Sequence, residues 1–188
     1  MEMRKTPEDW TRAALTAISE GGLAAVAVEP LAIRLGTTKG SFYWHFANRD
    51  ALLDAALARW EEQTTTEILS EVAKTEADPA DRLRLLIVRV VAMAEQDPIG
   101  LALASAAAHP AVKPVLTRVT RTRIDAIVGL FTQLGFAPDE AKSRALLAYS
   151  AYLGHGQLAH STPEFLPHDP EAKLAYLNLV LHTLTRAG

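Results

Sequence analysis

The chain has 188 residues, no cysteine, a net charge of −3 and an isoelectric point of about 6.1. The absence of cysteine excludes disulfide scaffolds, thiol nucleophiles and zinc sites with sulfur ligands. Hydrophobic residues make up 49% of the chain but aromatic residues only 6%, a composition that favours helices packed on helices. No apolar run follows the basic pair near the start, and the most apolar stretch, 99–108, is far shorter than the ~20 residues of a membrane span. We therefore expect no secretory signal, no transmembrane helix and a cytoplasmic location.

Apolar residues recur with the spacing of an α-helix along almost the whole chain, and no segment shows the alternation of a β-strand. Capping residues and helix breakers set the expected boundaries. Thr6 and Pro7 start the first helix, Pro30 is tolerated in the first turn of the second, and Gly36 ends it. We therefore predict an all-α fold of about nine helices. Their approximate ranges are 7–21, 28–35, 37 or 38 to 46, 49–60, 79–96, 99–109, 110–134, 138 to 157 or 160, and 170–185.

The first three predicted helices have the dimensions of a helix-turn-helix, with the motif at about 27–46. Gly36 can adopt the left-handed backbone conformation of the turn, and Ala32 is small enough for the next helix to cross it closely. The apolar contacts that fix the angle between the two helices are Leu31, Leu35, Phe42 and Phe46. The third helix then exposes Thr38, Lys39, Ser41, Tyr43, Trp44 and His45. A short polar face of this kind suits the major groove of DNA, where small side chains approach base edges and a helix N-terminus favours phosphate.

The run 42–46, FYWHF, with GTTKGS before it and NRDALL at 48–53 after it, closely resembles the DNA-binding domain of TetR-type transcriptional regulators. The resemblance covers about residues 6–60 in order and spacing, and beyond them it is one of length and helical architecture. It implies a helix-turn-helix DNA-binding domain at 1–47 and a helical regulatory and dimerisation domain at 48–188. Two positions depart from the family pattern: Ala27 stands where a Ser or Thr cap is usual, and Thr37 where Val is usual.

The resemblance implies DNA contacts for residues in and around the third helix. Lys39 and Ser41 would contact bases or phosphates, Tyr43 would hydrogen-bond a phosphate, and Arg49 would contact the adjacent DNA backbone. The full set is Arg4, Lys5, Thr37, Thr38, Lys39, Gly40, Ser41, Tyr43, Trp44, His45 and Arg49. Through Asp50 the chain carries as many Lys and Arg as Asp and Glu, so binding would depend on where the charges lie. We expect a moderate salt dependence.

The last two predicted helices are suited to pairing with a second copy of the chain. Ser150 and Gly154 lie one turn apart and would let a neighbouring helix approach closely. Two helices from each chain would form a four-helix bundle, the dimer interface that the resemblance implies. The predicted interface residues are Leu146, Ser150, Leu153, Gly154, Leu177, Leu181 and Leu184. The alternative is that these helices pack only within one chain.

The resemblance also implies a small-molecule cavity in the second half, mostly apolar and suited to a hydrophobic or aromatic effector. Candidate lining residues are Trp60, Gln63, Arg89, Met93, Gln96, His109, Tyr149 and Tyr152. Bound ligand would favour a state that no longer fits adjacent DNA grooves. The expected function is therefore a ligand-responsive transcriptional regulator, most simply a repressor, that binds a palindromic operator as a homodimer.

No metal, cofactor or catalytic site is predicted. His155 and His160 are five residues apart, not the three or four that bring side chains together on a helix. Ser105 and Ser150 lack the Gly-x-Ser-x-Gly turn of hydrolases, and no glycine-rich phosphate loop is present. The alternative function is a helical small-molecule-binding or enzymatic protein whose helix-turn-helix is only structural. A third possibility is a regulator that senses a protein partner or nothing at all. A second half too tightly packed to hold a cavity would point to this possibility.

Overall fold

The computed structural model describes residues 5–75 and 78–186, and all regular structure in these ranges is helical. The helix α4 is made of three segments that follow one another without a loop. They are Arg49–Glu61, a π-helical turn at Glu62–Thr66, and Glu67–Lys74. The other helices are α1 (Pro7–Gly21), α2 (Val28–Arg34), α3 (Lys39–Tyr43), α5 (Pro79–Gln96), α6 (Ile99–Ser105), α7 (Val112–Gln133), α8 (Pro138–Ser161) and α9 (Pro170–Thr185). Short 3-10 turns lie at Leu23–Ala25 and Pro163–Phe165. The predicted all-α fold with about nine helices is confirmed over the described residues.

Side-chain caps fix the starts of most of the helices. The Thr6 hydroxyl accepts a hydrogen bond from the Asp9 amide at 3.3 Å, and the Asp9 carboxylate accepts one from the Thr6 amide at 2.9 Å. This reciprocal pair satisfies two amides that have no partner inside the helix. Single side-chain caps precede α3, α4, α5 and α9 at Thr38, Asn48, Asp78 and Asp169.

Contacts group the described residues into two compact units. The first takes in residues up to 63 together with 99–118, and the second takes in 64–98 and the residues from 119 on. This grouping rests on packing, and it does not test the functional division between 1–47 and 48–188, which stays a prediction. No helix in the described ranges combines the length and the apolar character that a membrane crossing needs.

The first unit is built around two buried aromatic rings. Trp10 of α1 and Phe42 of α3 are fully buried, and their ring centroids are 5.3 Å apart in an edge-to-face arrangement. α1 packs along α4 and also against α6. The side chains that complete this core include Ile18, Leu31, Leu52, Leu53 and Leu57. A core shared by four helices therefore holds the short α3 in place.

The turn between α2 and α3 has the geometry that glycine permits. Gly36 has φ of 63°, its amide bonds the carbonyl of Ile33 at 3.0 Å, and the amide of Thr37 bonds the carbonyl of Ala32 at 2.9 Å. This pair of bonds is a Schellman motif, which ends a helix by satisfying its last carbonyls. Ala32 is buried, as its proposed close contact with the next helix requires.

The second unit has its own core, in which α5 packs on α8 and α9 packs on both. Ala141 and Ala145 on α8 are fully buried, and such small side chains let the helices approach closely. The remaining buried members are Val72, Leu83, Leu86, Leu130, Phe131 and Leu184. Arg144 of α8 donates to the carbonyls of Leu184 and Arg186, at 2.6 and 2.8 Å, and so caps the end of α9.

α2 is the helix whose start differs from the usual pattern. Ala27 occupies the cap position with extended backbone and makes no side-chain cap. The third residue of this helix is Pro30, which has no amide hydrogen for a capping hydroxyl to accept. The absence of a Ser or Thr cap at position 27 therefore lowers the stability of the protein less than it would if the third residue of α2 had an amide hydrogen.

We expect Ala27→Thr to raise the free energy of unfolding by less than about 0.5 kcal/mol. In a Pro30→Ala background, the same substitution should gain about 1 kcal/mol, because the third amide becomes available. Urea unfolding of the four proteins of this double-mutant cycle measures the difference. An equal gain in both backgrounds would show that Pro30 is not the reason for the missing cap.

Candidate functional site

α3 presents a polar and aromatic face to solvent. Thr38, Lys39 and Gly40 are exposed, Tyr43 is 55% exposed and Trp44 is 77% exposed. The buried ring of Phe42 holds the helix against the core of the first unit. The structure therefore brings these predicted DNA-contact residues together on one outward surface.

The start of α3 is capped by Thr38. Its hydroxyl accepts a hydrogen bond from the Ser41 amide at 3.3 Å. Thr37 is half-buried, and its amide belongs to the turn that ends α2. The cap therefore comes from the second of the two threonines with which the helix was predicted to start. α3 ends at Tyr43, before the predicted residue 46, because the His45 and Phe46 amides both turn to the carbonyl of Phe42.

Lys39 is held in an ion pair with Glu29 of α2. The lysine Nζ lies 2.8 Å from Glu29 Oε1, and both side chains are more than half exposed. This hydrogen bond raises the pKa of Lys39 and lowers the pKa of Glu29. Exposed pairs of this kind are weak, so a phosphate group could take the place of the carboxylate.

Arg49 holds the loop before α2. Its Nε donates to the carbonyl of Val26 at 2.6 Å, and its Nη2 donates to the carbonyl of Leu23 at 2.7 Å. A third, longer contact of 3.4 Å joins Nη1 to Asp50. The structural role of the guanidinium was not foreseen from the sequence, and its contact with DNA stays a prediction.

The other predicted contact residues are less exposed or lie outside the described part of the chain. His45 is half-buried, and its Nε2 is buried without a hydrogen-bond partner among the described residues. Ser41 and Lys5 are also half-buried. Arg4 lies outside the described residues.

The second unit contains a cavity of about 60 Å³. Its wall is mostly apolar and comes from α4, α5, α7, α8 and α9. Of the eight residues predicted to line a ligand cavity, Tyr149 and Tyr152 lie at its wall. This free volume lies below the ~300 Å³ at which pockets for drug-sized ligands start, so a molecule of that size would need the cavity to widen.

The other six predicted cavity residues lie elsewhere. Trp60 is buried in the first unit, and Arg89 forms a surface ion pair with Glu71 at 3.2 Å. The imidazole Nδ1 of His109 accepts a hydrogen bond from the Ala111 amide at 3.2 Å, which places it in a turn. Gln63 and Gln96 are exposed, and Met93 is half-buried without lining the cavity.

The sequence did not reveal the polar cluster at one side of the cavity. The Arg123 guanidinium donates to the hydroxyl of Thr65 at 2.9 Å, to the carbonyl and hydroxyl of Thr64 at 3.0 Å, and to the Tyr152 hydroxyl at 3.2 Å. Burial raises the pKa of Tyr152, and the charge of Arg123 offsets only part of this effect. The Tyr149 hydroxyl is hydrogen-bonded to the Thr120 hydroxyl at 3.2 Å. The Thr64 carbonyl belongs to a π-helical turn, a feature that often occurs at functional sites.

Four of the seven predicted interface residues lie together on the exposed side of α8. Leu146 is 57% exposed and Leu153 is 50% exposed, and Ser150 and Gly154 are exposed between and beside them. Leu177 and Leu181 on α9 are half-buried. Leu184 is only 3% exposed, because it packs into the core of its own unit.

Further leucines are exposed on both helices. They are Leu147 and Leu158 on α8, and Leu174 and Leu179 on α9. A large exposed apolar surface in a monomer usually marks an interaction site.

In the described ranges, no group of three or more His, Asp or Glu side chains is placed to hold a metal ion.

Comparison with known proteins finds a family match near the start of the chain. A family model described as bacterial regulatory proteins of the tetR family matches residues 11–56. Over 49 residues the chain is 45% identical to the tetracycline repressor protein class A from transposon 1721 of Escherichia coli, a match that covers 26% of this chain and 23% of that repressor. The chain therefore spans less than a quarter of the curated relative that it matches.

Solved structures with the same fold extend over nearly the whole chain. A TetR transcriptional regulator from Legionella pneumophila has a TM-score of 0.78 at 15% identity, with 97% of this chain and 99% of that chain covered. A transcriptional regulator from Rhodococcus sp. Rha1 has a TM-score of 0.77 at 23% identity, with 96% of each chain covered. FadR of Bacillus subtilis, a transcriptional regulator solved in complex with stearoyl-CoA, has a TM-score of 0.70 at 14% identity, with 96% and 98% covered. Residues 11–56 therefore match the tetR family of bacterial regulatory proteins, and the chain shares its fold with these solved structures.

Proposed function

We propose that this protein is a sequence-specific DNA-binding transcriptional regulator, and not an enzyme. In this proposal it is a cytoplasmic homodimer that represses transcription from a palindromic operator and releases it when a small molecule binds. The observation that carries the proposal is the outward face of α3 within a match to the tetR family at residues 11–56. A curated relative over this segment is a tetracycline repressor.

The geometry of α3 supports insertion into a major groove. The helix has only five residues, so its first turn and its capped N-terminus form most of the surface that faces outward. Amides at a helix N-terminus favour phosphate, and Gly40 adds no side chain that would keep the backbone from DNA. Tyr43, the last residue of the helix, and Trp44, which follows it, supply polar and aromatic groups for the DNA backbone.

The exposed leucines on α8 and α9 support dimerisation. A dimer is needed because a palindrome presents two half-sites about one helical turn apart, and each is read by one α3. Leu146, Ser150 and Leu153 follow one another at helical spacing on one face of α8. Pairing of that face between two copies would cover apolar surface that is exposed in a single chain.

The cavity of the second unit supports a small-molecule effector. Its wall is apolar with few polar groups, as ligand sites commonly are. FadR of Bacillus subtilis, which shares the fold, has been solved with stearoyl-CoA. An effector releases DNA only if it binds one of two protein states more tightly than the other.

We expect the double variant Lys39→Ala with Tyr43→Ala to lose sequence-specific DNA binding while it remains a dimer. Both side chains lie on the outward face of α3 and neither belongs to the core. The measurement is selection of fragments from genomic DNA at near-physiological salt, with the wild-type enrichment of a near-palindrome as the reference. The same enrichment by a double variant of verified dimeric state would contradict the roles given to α3.

Removal of the Glu29 charge should strengthen DNA binding through Lys39. In Glu29→Gln the lysine has no carboxylate partner, and one negative charge is lost beside the DNA surface. We expect a several-fold lower dissociation constant at 100 mM salt and a slope of log K against log[salt] steeper by about 1.

The matched control for this test is Glu20→Gln. Glu20 is also exposed and is paired with Arg34 of α2, so its substitution removes the same charge and leaves the pair of Lys39 and Glu29 intact. Equal changes in affinity and salt slope for the two variants would show that Lys39 has no special place at the DNA.

Charge on the exposed face of α8 should break the dimer. We expect Leu146→Glu with Leu153→Glu to raise the dimer dissociation constant at least about tenfold, since four like charges would meet at an apolar interface. Sedimentation equilibrium measures the assembly, and circular dichroism verifies the fold.

The control for the dimer is Phe165→Glu. This residue is 74% exposed in the 3-10 turn Pro163–Phe165, so the substitution charges an apolar surface residue outside α8. An unchanged dimer in the double leucine variant would place the interface elsewhere.

A further inference from the structure

Arg49 links the start of α4 to the loop that leads into α2. Its Nε donates to the carbonyl of Val26 at 2.6 Å, and its Nη2 donates to the carbonyl of Leu23 at 2.7 Å. Val26 is fully buried, and a buried carbonyl without a donor is destabilising. The guanidinium therefore satisfies a backbone group that water does not reach.

The start of α2 lacks the side-chain cap that would order it locally. In the described part of the chain, Ala27 supplies no such cap, and Pro30 in the first turn has no amide hydrogen. A helix whose first turn is not capped is less stable at that end. The two bonds from Arg49 therefore hold the start of α2 from another helix, in place of a cap.

The α4 end of this link is fixed. Asn48 caps α4 directly before Arg49 and accepts a hydrogen bond from the Ala51 amide at 2.9 Å. Leu52 and Leu53, which follow, are fully buried in the core of the first unit. The backbone of Arg49 is thus held in place, and its planar guanidinium holds the loop with a defined geometry.

The position of α2 determines the position of α3. The two helices pack together, and the Thr37 amide closes the turn between them with a bond of 2.9 Å to the Ala32 carbonyl. Glu29, in the first turn of α2, is paired with Lys39 of α3 at 2.8 Å. A displacement of the start of α2 therefore moves the partner of Lys39 and disturbs the helix that faces outward.

The guanidinium of Arg49 already has partners within the chain. Besides the two carbonyls, its Nη1 lies 3.4 Å from Asp50 Oδ1. All three nitrogens of the side chain therefore have an acceptor without any phosphate.

We propose that Arg49 is a positioning residue for DNA reading: it orders the loop before α2 and thereby places α3. This role is distinct from the contact with the DNA backbone that the resemblance implies for Arg49. It rests on the proposed function, because it takes α3 as the helix that reads the operator. The ordering of the loop requires no DNA and is measured without it.

The test compares Arg49→Lys and Arg49→Gln with the wild-type protein. The DNA probes are the fragment most enriched in the genomic selection and a scrambled duplex of the same length. We expect both variants to bind the enriched fragment at least about tenfold more weakly, since neither side chain reproduces the fork that holds two carbonyls. Binding of Arg49→Lys to the scrambled duplex should stay within about twofold of wild type, because the charge is kept.

Salt dependence separates positioning from a phosphate contact. Lysine also binds phosphate, so a contact alone predicts an affinity near wild type for Arg49→Lys. It also predicts that Arg49→Gln makes the slope of log K against log[salt] shallower by about 0.9. We expect instead that the two variants weaken binding equally and keep the wild-type slope.

Hydrogen exchange of the amides at 22–29 measures the order of the loop directly. We expect exchange there to be at least about tenfold faster in Arg49→Lys than in the wild-type protein. Circular dichroism verifies the fold of each variant, and sedimentation verifies the dimer. Arg49→Lys, which keeps the charge, decides alone if Arg49→Gln does not fold.

The matched control is Arg144→Lys. Arg144 also donates to two backbone carbonyls, those of Leu184 and Arg186, but it does so at the end of α9 in the second unit. This substitution should leave the exchange at 22–29 and the affinity for the enriched fragment unchanged.

Three results would overturn the inference: wild-type affinity of Arg49→Lys for the enriched fragment, unchanged exchange at 22–29, or an equal loss of affinity in Arg144→Lys. Any of them, with a fragment enriched by the wild-type protein, leaves the proposed function standing. If the wild-type protein enriches no fragment, the proposed function itself fails, and the positioning role fails with it.

Discussion

The outward face of α3 depends on the burial of one ring, Phe42. A helix of five residues has no stability of its own in water, because the cost of forming its first turn is not recovered over so short a length. Phe42 is fully buried against Trp10 and stacks on Phe46 with 5.7 Å between centroids. Once this residue points inward, helical geometry turns Gly40 and Trp44, two positions away on either side, toward solvent. The surface that carries the proposed function is thus set by an apolar contact that never meets DNA.

Local signals made much of the fold predictable from the sequence. Thr6 and Asn48 cap their helices as predicted, and Gly36 adopts the positive φ that the turn required. Each of these features is determined by residues within a few positions of one another, so the amino-acid types alone carry the information. The end of α3 was less predictable, since Trp44 and His45 are compatible with a helix and the turn depends on where the next helix must begin.

The side-chain partners that define the sites were not predictable in the same way. Arg49 bonds backbone carbonyls 23 and 26 residues away, and Arg123 bonds Thr64 at a separation of 59 residues. A carbonyl acceptor leaves no mark in the amino-acid types, because every residue has one. The cavity was also difficult to predict from the sequence. Polar residues on the helices were predicted to form its wall, but an apolar cavity is lined chiefly by residues that look like ordinary core.

The ion pair between Lys39 and Glu29 bears on how much of the protein a cell must make. Lys39 is the one charged residue of α3, so in the absence of DNA its pairing leaves that helix electrically neutral. Attraction to DNA of arbitrary sequence is chiefly electrostatic, and a chromosome offers roughly a million or more such competing sites. A reading helix that adds little to this general attraction leaves a larger share of the molecules unbound and available to the operator. On the proposed function, fewer copies of the protein are then enough to keep one site occupied.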